Sequence, residues 1–217
     1  MLKIKSFAYN PFQTNTYILS DESGEAIVID PSFAAPQEEA KFDAYVNNNN
    51  LKLVGVYNTH LHFDHCFGVG HLKKEYGLEY AAHPAGLQFI KGAAKQASVY
   101  GVQISEIEAP TLEITELDII KFGNNELRIL NTPGHANGSL CFVSDSDHFV
   151  ITGDVLFRES IGRTDLPTGD LDLLLDSIHN KLFVLDGDYK VYPGHGPSTT
   201  IAEEISGNPF LIFGEIH

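Results

Sequence analysis

Residues 59–65 read Thr59-His60-Leu61-His62-Phe63-Asp64-His65, and no other stretch of this 217-residue chain limits its fold so strongly. Four side chains that bind metal ions well fall within six positions. Just before them, Leu53-Val54-Gly55-Val56-Tyr57 is apolar and β-prone, which predicts a buried strand. After them, residues 66–76 predict a helix that stops at Gly77. A strand that ends in such a turn and then enters a helix sets its ligands at the edge of a sheet. One turn cannot surround an ion, so the remaining ligands must come from elsewhere in the chain.

Three more segments end apolar strands in turns of the same kind. They are Thr132-Pro133-Gly134-His135, Thr152-Gly153-Asp154 and Tyr192-Pro193-Gly194-His195-Gly196. Each sets a His or Asp beside Gly or Pro, where the backbone turns tightly. The candidate ligands are His60, His62, Asp64, His65, His135, Asp154 and His195. Imidazoles and carboxylates without a thiolate suit Zn²⁺, Fe or Mn. Seven ligands exceed one tetrahedral site and suit two divalent metal ions about 3.5–4 Å apart with a shared carboxylate. Zn²⁺ is the first expectation, with Fe or Mn as alternatives.

Hydrophobic residues make up 43% of the chain, enough for a sizeable core. The formal net charge of −15 argues against nucleic acid as a partner, because that binding rests on Lys and Arg neutralising phosphates. It argues equally against an anionic membrane surface. Two cysteines, Cys66 and Cys141, make no disulfide framework. The first seven residues alternate like a strand and lead into no apolar signal core. No apolar run approaches the roughly 18 residues that span a bilayer. The expectation is a soluble cytoplasmic protein.

Taken in order, residues 2–9, 15–19 and 25–30 predict strands, and a helix is expected over about 37–46. A short strand over 78–82 and a helix over 85–98 follow the metal turn. Residues 99–117 are expected to be a surface connection with little regular structure, with a substrate-side loop as the alternative. Hairpins are predicted at 118–131 and 140–152, and a loop over 155–169. Leu171, Leu174, Leu175, Ile178 and Leu182 fall at helical spacing and predict a core-facing stripe. A last strand over 189–192 precedes a short helix from near Ser198. Strands then helices, twice over, suggest two sheets face to face with helices outside.

His60-Leu61-His62-Phe63-Asp64-His65 resembles the His-x-His-x-Asp-His signature of the metallo-β-lactamase superfamily, and His135, Asp154 and His195 fall in the order of its later motifs. The resemblance covers almost the whole chain. It implies a single α+β domain over 1–217, an αββα sandwich with metals at one end of the sheets. It also implies one metal on His60, His62 and His135, a second on Asp64, His65 and His195, and Asp154 as the bridge. Asp64 would orient the attacking water or accept its proton. Within the superfamily, Gly162-Arg163-Thr164-Asp165-Leu166-Pro167, Gly194–Thr200 and Asn208-Pro209-Phe210-Leu211 resemble the short bacterial glyoxalase II-type hydrolases. The longer enzymes of that type bind glutathione through basic residues of a helical C-terminal domain. The residues after His195 include neither Lys nor Arg, so that mode of recognition is not expected to carry over.

The resemblance therefore implies a metallo-hydrolase that cleaves a small acyl thioester, using a metal-bridging hydroxide for attack on the carbonyl. A thiolate leaves readily and needs little acid help. The alternatives are a persulfide dioxygenase with one iron on His60, His135 and Asp154, a lactone or ester hydrolase, and a non-catalytic metal-binding scaffold. A nuclease of the same fold is disfavoured by the acidity. Arg163 and Asp165 read first as a pair that braces the metal loop, or else Arg163 faces a substrate carboxylate. His71 is expected beside the site without ligating, His83 as a loop histidine, His148 and His179 at the surface, and His217 is terminal. Cys66 reads as a small buried residue, and Ser139 as a turn or cap residue.

Overall fold

A computed structural model describes residues 2–104 and 106–212; His217 lies outside them. Lys3–Tyr9 (β1) and Thr14–Ser20 (β2) form an antiparallel hairpin, and Glu25–Ile29 (β3) pairs antiparallel to β2. Helix α1 (Pro36–Asn48) then crosses over to Lys52–Tyr57 (β4), which runs parallel to β3. Its Pro36 stands where a helix needs no N–H. The Glu38 carboxylate accepts from the amides of Ala34 and Ala35 ahead of it. Helix α2 (Val69–Tyr76) leads to Tyr80–Ala82 (β5), and α3 (Ala93–Val99) to Leu112–Glu113 (β6). The first sheet has the order β1-β2-β3-β4-β5-β6.

The second half repeats the plan. Ile119–Phe122 (β7), Asn125–Asn131 (β8), Leu140–Ser144 (β9) and Phe149–Gly153 (β10) form an antiparallel meander. A small ribbon, Leu156–Phe157 (β11) with Ser160–Ile161 (β12), precedes helix α4 (Leu171–Ser177), which runs on through one wider turn to Leu182. Lys190–Pro193 (β13) returns parallel to β10, and Thr199–Thr200 (β14) closes the edge. Helices α5 (Ile201–Gly207) and α6 (Pro209–Ile212) follow. The second sheet has the order β14-β13-β10-β9-β8-β7.

Side-chain alternation along the strands explains the layers. On β3, Ala26 and Val28 pack with Phe33, Phe42 and Leu72 under the first helices, while Ile27 and Ile29 face the other sheet. On β9, Leu140 and Phe142 join that inter-sheet core, while Cys141 and Val143 pack with Leu174, Ile178 and Leu182 of α4 and its extension. Successive residues of a strand point to opposite faces, so a strand covered on both sides must be apolar at every position. The result is the four-layer αββα sandwich.

Several local expectations shift. The helix expected over 85–98 is two pieces, a 3₁₀ helix at Pro84–Phe89 and α3, separated at Gly92, whose φ of 81° breaks the helix. The helix expected over 66–76 begins only at Val69, after a separate 3₁₀ turn at Phe63–His65. Residues 99–117 are more than a surface connection: they supply β6, and Val102, Ile107 and Ile114 are buried in the cores. The apolar residues there are spaced irregularly, which hides their burial from any periodicity. Residues 155–169 hold the β11–β12 ribbon rather than a plain loop. The last helix starts at Ile201, because Thr199 and Thr200 pair with β13 first. Leu171 falls outside the core stripe and is half exposed, since it sits in the first turn of α4. Among the described residues, no helix is long and apolar enough to cross a membrane.

Both cysteines are fully buried, Cys66 under the first helices and Cys141 under α4. Burial pushes the Cys66 thiol well up and that of Cys141 to about 12. Neither thiol is expected to react with an aromatic disulfide reagent near pH 8 until the protein is unfolded. Stoichiometric labelling of the native protein would contradict this packing.

Candidate metal centre

The four ligand turns meet at one end of the two sheets. The stretch from His60 follows β4, His135 follows β8, Asp154 follows β10 and His195 follows β13. Backbone bonds lock the turns together. Leu140 donates its amide to the carbonyl of Thr59 at 2.8 Å, and Gly194 donates to that of Gly153 at 2.7 Å. Glycine is required at two of these points. A side chain at Gly194 would collide with Asp154 Oδ1 and the His65 ring, and Gly153 takes a φ of 49° hard against the Thr59 side chain.

The first three imidazoles point nitrogen to nitrogen. His60 Nε2 lies 3.1 Å from His62 Nδ1, and His135 Nε2 lies 3.0 Å from the same atom. Their outer contacts assign the tautomers. His135 Nδ1 donates to the Arg163 carbonyl at 2.8 Å, which leaves Nε2 a lone pair. Thr59 Oγ1 donates to Asp30 Oδ2 at 2.7 Å and so accepts from His60 Nδ1 at 3.1 Å, which bares His60 Nε2 as well. Two lone pairs therefore face His62 Nδ1, and a proton there satisfies only one of them. A cation satisfies all three.

The second group gathers around carboxylates. His65 Nε2 lies 3.6 Å from Asp64 Oδ2 and 3.4 Å from Asp154 Oδ1; His195 Nε2 lies 3.5 Å from Asp64 Oδ2 and 3.4 Å from Asp154 Oδ2. Asp154 Oδ2 is also 3.6 Å from His135 Nε2, so this one carboxylate reaches both groups. His65 Nε2 and Asp154 Oδ1 are buried without a hydrogen-bond partner. Such orphaned buried polar atoms are costly and rare, and here they aim at a common point. His60, His62 and His135 can each bring a ligand atom within 4.8 Å of the others, and so can Asp64, His65 and His195. The donor set and the orphaned atoms fit divalent metal ions.

Electrostatics divide the site. Burial, with the neighbouring His65 and His62, holds His60 well below its ordinary value; burial and His135 bring His62 down to about 4. Burial works in the same direction at His65, but Asp154, Asp64 and Asp30 outweigh it and hold that imidazole well above the usual range. His195 is raised by Asp154 against its own burial. Burial would raise Asp154, yet His65 and His195 keep its carboxyl well below the usual range.

Support comes from residues that the sequence reading passed over. Asp30 is fully buried and accepts from the Thr59 amide and hydroxyl, both at 2.7 Å, and from His65 Nδ1 at 3.0 Å. Its signal was present: Ile29-Asp30-Pro31 is another strand ending in an acidic residue beside proline. The Asn58 side chain donates to the His65 carbonyl at 2.8 Å. Thr14 donates to Asp64 Oδ2 at 2.9 Å, and the Phe12 carbonyl accepts from His195 Nδ1 at 3.0 Å.

A family model described as metallo-beta-lactamase superfamily matches residues 9–195. This chain belongs to that superfamily. Its relatives include a Haemophilus influenzae protein described as hydroxyacylglutathione hydrolase GloC, 32% identical over 97% of this chain and 98% of the relative. Among solved structures, BLEG-1 B3 metallo-beta-lactamase is 32% identical with a TM-score of 0.88, covering 97% of this chain and 99% of that one. TTHA1623 in a di-iron-bound form is 33% identical with a TM-score of 0.86, covering 95% and 100%. Membership in this superfamily makes the chain a metallo-hydrolase in broad class.

A cleft of about 270 Å³ opens over the superfamily site, lined by Phe12, His62, Phe63, Asp64, Gln96, Tyr100, His135, Asp154, Arg163, Leu166 and His195. A larger cavity of about 580 Å³ lies between α2 and residues 103, 104 and 106–108 and touches none of the seven candidate ligands. Arg163 and Asp165 form a two-point ion pair, both contacts 2.7 Å, and both are more than half exposed at the rim. The bracing contact to the metal loop comes instead from the Arg163 carbonyl on His135. His71 pairs with Asp43 at 2.9 Å, away from the ligands, and His83 caps the 3₁₀ helix at Pro84. His148 pairs with Asp188 at the surface, and exposed His179 lies edge-on to Phe183. The buried Ser139 hydroxyl is spent on the Ala136 carbonyl within its turn.

Proposed function

We propose that this protein hydrolyses a small acyl thioester, in the manner of glyoxalase II, with two divalent metal ions, Zn²⁺ foremost. His60, His62 and His135 would hold one ion and Asp64, His65 and His195 the other, with Asp154 within reach of both groups. One observation carries the substrate class. Every carboxylate and imidazole lining the cleft belongs to this ligand set, and the other polar side chains there are Gln96, Tyr100 and Arg163. Among the described residues, no separate carboxyl or imidazole lines the cleft to protonate a leaving group. A thiolate leaves without that help, whereas an amine does not. The GloC relative's description supports the same reading.

Bound divalent ions supply Lewis acidity at a carbonyl oxygen and draw the pKa of a held water toward 7. The chain's own groups do the rest. Asp64 lines the cleft with its Oδ2 turned to His65 and His195, and its carboxylate is placed to orient the attacking water. Phe12 packs edge-on to Phe63 and Tyr100, whose rings lie tilted to each other, and the three form one wall that shelters an acyl chain from solvent. The test is hydrolysis of S-lactoylglutathione and simpler acyl thioesters before and after chelation. Turnover is expected to fall at least about 1000-fold on metal removal and to return with Zn²⁺. No metal-dependent cleavage of any thioester would reject the proposal, and one bound iron with oxygen uptake on glutathione persulfide would replace it with the dioxygenase.

The two metal positions should also respond differently to pH. Carboxylates raise His65 and His195 in the metal-free fold, so an ion arriving at their Nε2 atoms competes with protons up to a higher pH than at ordinary imidazoles. His60 and His62 are depressed and already neutral, so they lose little to acid. Lowering the pH from about 8 to about 5.5 should therefore strip the second equivalent before the first. Metal content after equilibrium dialysis at each pH measures this, and parallel loss of both equivalents would contradict it.

A further inference from the structure

We infer that the β1–β2 turn and the first residue of β2, residues 10–14, set the occupancy of the second metal position, with Thr14 as the positioning residue for Asp64. The inference rests on the two-ion reading above. Thr14 is fully buried, and its hydroxyl donates to Asp64 Oδ2 at 2.9 Å. That oxygen is the one that faces His65 Nε2 and His195 Nε2. A carboxylate can rotate about its last bond; a hydroxyl fixed on one oxygen decides which atom the ion meets. The same turn holds His195. The Phe12 carbonyl accepts from His195 Nδ1 at 3.0 Å, and Thr14 pairs with His195 along the backbone. Asn10 completes the grip by donating to the Asp64 carbonyl at 3.2 Å.

The turn is itself rigidly built. Asn10 and Gln13 hold left-handed backbone at φ 54° and 57°, and Asn10 Oδ1 accepts from the Phe12 amide at 2.8 Å. Ser32 donates its hydroxyl to the Thr14 carbonyl at 2.9 Å. The other metal position depends on different supports: Thr59 at His60 and the Arg163 carbonyl at His135. The contacts of Asn10, Phe12 and Thr14 to the ligand set fall on Asp64 and His195. Asp30 supports both halves, through Thr59 and through His65, but the contacts of the β1–β2 turn fall on the second half alone, so their loss can weaken that position without the other.

The experiment titrates metal-free wild type, Thr14→Val and Thr14→Ser with Zn²⁺ by calorimetry and with Co²⁺ by absorption. Thr14→Val keeps the shape and loses the donor, and Thr14→Ser keeps the donor. In Thr14→Val the second equivalent should bind about 10- to 100-fold more weakly while the first stays within about twofold. Thr14→Ser should recover most of that loss, with near-ultraviolet dichroism of the metal-free forms alike. If the Val variant does not fold, Thr14→Ala takes its place. Unchanged binding of both equivalents, or equal weakening of both, overturns the inference and leaves the two-ion reading standing. A wild type that takes up a single equivalent overturns both.

Discussion

Replacing Asp154 with alanine is expected to lower thioester turnover by at least about 1000-fold, or roughly 4 kcal/mol of transition-state stabilisation. Its carboxylate reaches both groups of imidazoles. Its Oδ2 lies 3.6 Å from His135 Nε2 and 3.4 Å from His195 Nε2, and its Oδ1 lies 3.4 Å from His65 Nε2. Without it the shared ligand of the proposed pair of ions is gone, and so is a charge that helps to hold His65 and His195 raised. Asp154→Asn keeps the shape and removes the charge, and it should lose nearly as much. Steady-state kinetics and metal content of both variants are the measurements. A variant that keeps both ions and acts within about tenfold of wild type would remove Asp154 from the bridging role.

Asp30→Ala is expected to destabilise the metal-free protein by about 3–5 kcal/mol, a drop of about 10 °C in Tm. The carboxylate is fully buried and accepts three hydrogen bonds, two from Thr59 and one from His65. Its loss strands donors where water cannot replace the acceptor. Asp30 also sits at a φ of 50°, which alanine tolerates poorly. Asp30→Asn keeps the backbone preference and isolates the loss of charge. Metal affinity should fall about 10- to 100-fold in either variant, because His65 loses the partner that fixes its ring. Thermal unfolding of the metal-free forms and metal titration test this. A Tm within about 2 °C of wild type would show that Asp30 carries little of the site's support.

The sandwich was legible because burial on both faces of a strand writes itself locally. Ala26 to Ile29 and Leu140 to Val143 are apolar at every position, and only helices on one side and a sheet on the other can cover such strands. Residues 99–117 resisted the same reading because β6 is two residues long and its neighbours Val102, Ile107 and Ile114 follow no period. Their burial is decided by what packs over them.

The same division runs through the metal centre. By itself the sequence determined which residue types stand at strand ends: His60, His62, Asp64, His65, His135, Asp154 and His195 all sit in tight turns, and such turns are properties of near neighbours in the chain. Only the tertiary structure decided which atoms meet. Asp154 reaching both imidazole groups, Asp30 bonding His65 and Thr14 fixing Asp64 depend in turn on the register between β10 and β13, on that between β3 and β4, and on the path of the β1–β2 turn. These partners lie tens of residues apart in the chain, and hydrogen bonds act over about 3 Å. Local pattern can supply the donors and acceptors; strand pairing within each sheet and the packing of one sheet on the other bring them within that distance.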